Sequence, residues 1–204
     1  MRKTRIAVLV SGGGTNLQAL IDAQAANKIP SGEIALVISN REDAYALERA
    51  ARAGIPARTI SRSDYPTSAE RIDALHAALA EFEIDMIVLA GYLGIVHRET
   101  IELYPNRIIN IHPALIPAFA GMGFYGLHVH EAALNRGVKV TGATVHFVTE
   151  DVDGGPILLQ KAVDVLPGDT PEVLQRRVME QAEWILLPQA TEMIAAQILE
   201  QNAK

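Results

Sequence analysis

Two side chains near the end of one apolar stretch have the types and spacing for chemistry. In "INIHPALIPAF" (109–119), the carboxamide of Asn110 and the imidazole of His112 interrupt a run of isoleucines, with Pro113 next and Pro117 shortly after. Residues two apart on a strand face the same way. Asn110 and His112 are therefore expected to project together, with Ile109 and Ile111 on the other face. Pro113 biases the His112 backbone towards an extended conformation, which restricts where the ring points. A carboxamide beside an imidazole can donate hydrogen bonds to an oxygen gaining negative charge, and the imidazole can also move a proton. This suits acyl transfer to an amine without a nucleophile from the protein. The chain has no cysteine, and these motifs contain no reactive serine elbow.

Two further motifs extend that reading. "VSGGGTN" (10–16) supplies more glycine than a tight strand-to-helix turn needs. Glycines let an anion approach backbone N–H groups at a helix start. Gly12 and Gly14 match the first two glycines of a dinucleotide fingerprint, but Leu17 stands at the third, and no Gly-Lys-Ser/Thr follows. One phosphate fits better than a pyrophosphate. "EDVDGGP" (150–156) carries two alternative acids, Asp151 and Asp153, around a Gly-Gly turn. A carboxylate near His112 would raise the histidine's pKa, and an ordinary polar turn is the competing explanation. His128 and His130 could share a metal on a strand, but Leu127, Ala132 and Leu134 favour a helix, on which the two diverge. His146 lies in an alternating stretch and reads as structural first, with a place in the cleft as the alternative. "AGMGFYG" (120–126) has the composition of a lid.

These residues need a scaffold, and the apolar pattern supplies one. Continuous Val/Ile/Leu runs at 5–11, 33–39, 56–60, 85–90 and 107–111 alternate with amphipathic segments at 15–26, 44–53, 68–82 and 98–103. Strands without polar alternation are covered on both faces, which with intervening helices means a parallel sheet. The segment 138–150 alternates like a half-exposed strand, and 156–165 follows it across the Asp-Gly-Gly turn as an antiparallel addition. Thr170, Pro171 and Glu172 open a final helix towards residue 199, with a kink expected at Pro188. The fold class expected is α/β, an open, mostly parallel doubly wound sheet with an antiparallel C-terminal addition, forming one domain over 1–204. Ligands of such sheets bind beyond the carboxyl ends of the strands.

Bulk composition narrows the partners. The net charge of −6 and the absence of a basic run argue against nucleic acid. The apolar run at 6–10 is too short for a signal peptide or a membrane span, so no membrane is expected and the protein reads as cytoplasmic. A homodimer is left open.

Taken together, "SGGGTNLQALID", "VISNREDAYALERA", "VLAGYL", "NIHPALIPAF" and "GATVHFVTEDVDGGPILLQ" resemble the phosphoribosylglycinamide formyltransferase family, in the same order along nearly the whole chain. The resemblance implies transfer of the formyl group of 10-formyltetrahydrofolate to the amine of glycinamide ribonucleotide in purine synthesis, with no metal. It implies that His112 is the catalytic histidine, Asn110 the donor to the tetrahedral intermediate, and Asp153 the acid that keeps the histidine protonated. Gly14, Thr15 and Asn16 match the phosphate loop, and Glu183 an acid near the ribose. Leu93, Gly94, Ile95 and Val96 match the segment that reads the pterin ring, with Asn110 also on the folate side. Ser68, Gly94 and Trp184 stand where well-known members carry other residues.

Rival readings fit less of the chain. A formyltetrahydrofolate deformylase shares the Asn-x-His and Asp elements but resembles a longer chain, and Pro113 argues against it. A methionyl-tRNA formyltransferase would need a further domain and a basic surface. A nucleotide-binding module would account for the glycine loop and for Asn40 and Arg41, but not for Asn110, His112 and Asp153 together.

Overall fold

The computed structural model describes residues 2–202. Its seven strands form one sheet in the order β3-β2-β1-β4-β5-β6-β7. They are β1 (Thr4–Val10), β2 (Gly32–Ser39), β3 (Ala57–Thr59), β4 (Met86–Leu89), β5 (Ile108–His112), β6 (Val140–Phe147) and β7 (Ile157–Asp164). The first five pair in parallel, and β6 and β7 are antiparallel additions. This is the doubly wound arrangement expected from the apolar runs. The order reverses between β1 and β4, which opens a crevice at that point.

Helices cover both faces. They are α1 (Thr15–Ala25), α2 (Tyr45–Arg52), α3 (Ser68–Glu81), α4 (Arg98–Leu103), α5 (Leu127–Arg136), α6 (Pro171–Val178) and α7 (Trp184–Asn202). One apolar layer joins Ile6, Val8 and Val10 of β1 and Ile109 and Ile111 of β5 to Leu17 and Leu20 of α1 and to α7. The other joins Ala7, Leu9, Ile87 and Ile108 to Leu79 of α3. Successive strand residues alternate between the two layers, as the strand period requires. Among the described residues no helix is long and apolar enough to cross a membrane.

Three local expectations need correction. The fifth strand continues to His112, because that residue pairs with Thr144 of β6. β6 is buried along most of its length rather than half-exposed. It is an interior strand, and the exposed edge falls to β7 instead. The single final helix expected from Thr170 towards residue 199 is interrupted by a π-helical turn at Met179–Glu183 between α6 and α7. Pro188 sits inside α7. An extra residue in the preceding turn is one way a helix accommodates an obstacle in its hydrogen-bond ladder.

The β6–β7 connection is tight. The Phe147 N–H donates to the Pro156 carbonyl at 2.9 Å, and the Gly154 N–H to the Asp151 carbonyl at 3.0 Å. A methyl group at Gly155 would run into the Phe147 carbonyl oxygen. Gly155→Ala is therefore expected to destabilise the fold by about 1–3 kcal/mol, read from the urea midpoint. An unchanged midpoint would mean that this turn has slack.

Candidate active site

Strand register places the motifs. Leu9 of β1 is level with Leu89 of β4, and Leu89 is level with Asn110 of β5. Strands are about 4.8 Å apart, so Asn110 lies roughly 10 Å across the sheet from Leu9. Ser11 and His112 follow each by two residues. The glycine loop and the Asn-x-His pair thus leave the same edge of the sheet two strands apart. The segment after β4 lies between them and is tied to the glycine loop, because the Leu93 N–H donates to Ser11 Oγ at 2.8 Å.

Asn110 and His112 share a face, and Asp153 meets both. The β6–β7 turn carries Asp153 over that face with φ 55°, a left-handed conformation unusual for a residue with a side chain. Its Oδ1 lies 3.4 Å from Asn110 Nδ2 and 3.5 Å from His146 Nε2. Its Oδ2 lies 3.4 Å from His112 Nδ1 and accepts the Gly121 N–H at 3.0 Å. Of the two acids left open by the turn motif, Asp153 faces inward and Asp151 is exposed.

Partners that can only accept a hydrogen bond settle the ring protons. His112 Nε2–H donates to the Phe119 carbonyl at 2.7 Å, which leaves Nδ1 towards Asp153. His146 Nδ1–H donates to the Phe147 carbonyl at 2.8 Å. Its Nε2 therefore accepts from Asn110 Nδ2, at 3.1 Å.

The electrostatics qualify one expectation. Burial pulls His112 below the ordinary imidazole value and outweighs the upward pull of the Asp153 charge and the Phe119 carbonyl. At 3 % exposure the ring is poorly solvated, so its charged form is costly. Asp153 favours the protonated histidine, but the effect of burial is larger. Burial also opposes the Asp153 charge, yet His146, His112 and the Gly121 N–H together hold its carboxyl below the usual range.

The other side of the crevice is built from α1 and the π-helical turn. Gly14 precedes α1 with φ 70°, where a Cβ would meet Ala46 at 2.7 Å. Thr15 and Asn16 begin the helix. Asn16 Nδ2 donates to Glu183 Oε2 at 2.7 Å, while Asn16 Oδ1 is buried without a partner among the described residues. Burial pushes the Glu183 carboxyl up to about 7, against the opposing hydrogen bond from Asn16. Beside Gly12 and Gly13 there is open space. Leu93 and Ile95 are 57 % and 61 % exposed, an apolar pair at the mouth of the crevice. Gly94 lies against the Tyr92 ring, where a Cβ would clash at 2.5 Å.

For His146 the alternative holds: it joins the polar cluster because it pairs with Asn110 across β5 and β6. Two other contributors were beyond sequence reasoning. The Phe119 carbonyl and Gly121 N–H are backbone groups with no residue-type signal. His128 is exposed and paired with Glu131, whereas His130 is fully buried, so the two diverge on α5. Among the described residues no group of three or more His, Asp or Glu is arranged to hold a metal.

The fold and this polar cluster define a class. The chain belongs to the formyl transferase family, whose pattern matches residues 4–191. The phosphoribosylglycinamide formyltransferase of Haemophilus influenzae is 44 % identical over 177 residues, covering 87 % of this chain and 81 % of that one. The crystal structure of glycinamide ribonucleotide transformylase 1 from Symbiobacterium toebii is 47 % identical with a TM-score of 0.88, covering 96 % of this chain and 89 % of that one. The human trifunctional purine biosynthetic protein adenosine-3 is 44 % identical over 195 residues, which cover 96 % of this chain but only 19 % of that much longer protein. A formyltetrahydrofolate deformylase from Pseudomonas syringae is more distant, at 26 % identity and a TM-score of 0.83, covering 98 % of this chain and 62 % of that one.

Two outcomes test the electrostatics. Asp153→Asn removes the charge that opposes burial, so the His112 pKa falls further; an NMR titration with no change would dissolve that link. Glu183 keeps in the folded chain a proton that an unfolded carboxyl releases near 4.5. Its contribution to stability is therefore full below about 4.5 and is lost as pH rises to about 7. Glu183→Gln should gain on the parent protein by about 3 kcal/mol across that window, with a constant difference above it. Urea unfolding at a series of pH values measures this, and parallel profiles throughout would remove burial as the cause.

Proposed function

We propose that the chain transfers the formyl group of 10-formyltetrahydrofolate to the amine of 5-phosphoribosylglycinamide, a step of purine biosynthesis. The observation that carries this reading is the meeting of Asn110, His112 and Asp153 at one point of the sheet edge where the glycine loop also opens. Relatives named for this reaction match along most of the chain. The 204 residues act as a single formyltransferase domain on small-molecule substrates.

In this mechanism the neutral amine attacks the formyl carbon. A new C–N bond forms, the carbonyl oxygen becomes an oxyanion, and the bond to the folate nitrogen then breaks. One Asn110 N–H is committed to His146, and the other makes only a long 3.4 Å contact with Asp153. That second N–H is the one free to turn to the oxyanion. Such a donor is worth roughly 10²–10³ in rate. The amine must lose a proton and the departing folate nitrogen must gain one. His112 Nδ1, facing Asp153, can carry it, and the downward pull of burial on its pKa suits it to accept first. The imidazolium so formed is stabilised by Asp153 and adds positive charge beside the oxyanion.

Binding follows the two sides of the crevice. Gly14, Thr15 and Asn16 take the substrate phosphate, with Glu183 towards the ribose. Leu93, Gly94, Ile95 and Val96 take the flat pterin ring. Exposed apolar side chains at a crevice mouth are consistent with a ring that covers them.

His112→Ala should lower turnover by roughly 10²–10⁴ while ribonucleotide still binds. Absorbance at the folate band, with and without the ribonucleotide, follows the reaction. Undiminished turnover in the variant would take His112 out of the mechanism, and deformylation without the acceptor would favour transfer to water.

A further inference from the structure

We propose that Arg49 of α2 is the positioning residue of the glycine loop, turning its backbone N–H groups towards the phosphate of the substrate. This rests on the reading of that loop as the phosphate site, and it assigns a role to a residue outside it.

In a trans peptide the carbonyl and the following N–H point in opposite directions. The Gly12 carbonyl accepts the Ala46 N–H of α2 at 3.0 Å. The Gly13 carbonyl accepts Arg49 Nε at 2.8 Å. Both carbonyls are therefore drawn towards α2, so the N–H groups of Gly13 and Gly14 turn away from it. Neither finds a backbone acceptor among the described residues. On the side of Gly12 and Gly13 where a side chain would stand there is open space. Consecutive N–H groups turned to one side form a concavity that binds anions.

Arg49 is held for this task from three directions. Nε takes the Gly13 carbonyl, Nη1 donates to Gln18 Oε1 on α1 at 3.0 Å, and the guanidinium lies over the Tyr45 ring at 5.1 Å. The residue thus ties the loop to α1, which follows it directly, and to its own helix α2. A lysine keeps the charge but lacks the planar fork that makes these contacts together. The two substitutions therefore separate charge from orientation.

The test uses the intact protein, with Arg49→Ala and Arg49→Lys. Inorganic phosphate is titrated into each, followed by ³¹P NMR, and steady-state kinetics are measured with both substrates. Phosphate affinity and the KM for ribonucleotide should each weaken by about tenfold in both variants. kcat and the KM for formyl folate should stay within about twofold, a split that general loosening of the fold would not produce. Parental phosphate affinity in Arg49→Ala would overturn the proposal, as would parental affinity in Arg49→Lys, where charge alone would then suffice. A parent protein that binds no phosphate overturns it as well. If the parent binds phosphate but transfers no formyl group, the proposed reaction falls, and the phosphate titrations still decide the role of Arg49. Should Arg49→Ala fail to fold, judged by circular dichroism, the lysine variant carries the same decision.

Discussion

The local structure turns on one carboxylate that is almost out of water. Asp153 is held over the face of β5 by a left-handed backbone, and its side chain is only 9 % exposed. A buried charge is tolerated when surrounding donors replace its hydration. The donors here are the Gly121 N–H and, at 3.4 Å, Asn110 Nδ2 of β5. Meeting that requirement orients three chain segments at once. It also explains the crowding of the turn behind Asp153, where Gly154 and Gly155 have no room for side chains.

The same burial sets up a balance of charges. Desolvation opposes ionisation of both His112 and Asp153, while each favours the charged form of the other. The balance falls differently for the two: the acid is held below the usual carboxylate range, and burial pulls the imidazole below its ordinary value. The Phe119 carbonyl holds the one ring proton at Nε2, which leaves the vacant nitrogen beside the acid. In the proposed reaction this is a site prepared to receive a proton rather than one already filled. Across the crevice, Glu183 has a single strong donor, Asn16, and burial dominates it. Two acids in one crevice are thus shifted in opposite directions because their donors differ in number.

The two sides of the crevice are built by different means. Around Asn110 the geometry is made by side chains on paired strands, held by sheet register. Around Gly14 it is made by backbone, held from outside by α2. The Gly14–Ala46 contact leaves no room for a side chain, and the Ala46 N–H and the Arg49 guanidinium fasten the loop carbonyls. The exposed Leu93 and Ile95 lie between these halves. Polar groups on both sides and an apolar strip between them suit substrates that are charged at one end and flat at the other.

Much of this was legible in residue types and spacing. Apolar runs such as those at β1 and β2 cannot be half-exposed, so they required a sheet covered on both sides. The strand period placed Asn110 and His112 on one face, Pro113 marked where that strand ends, and the glycines marked a loop in need of close approach. These features are local, and local sterics decide them. What lay outside the sequence was what depends on distant segments meeting. Register put His146 opposite Asn110, the β6–β7 turn chose Asp153 over Asp151, and the π-helical turn brought Glu183 to Asn16. The downward shift of His112 likewise depends on tertiary structure, because burial depends on what packs around a ring and not on its neighbours in the chain.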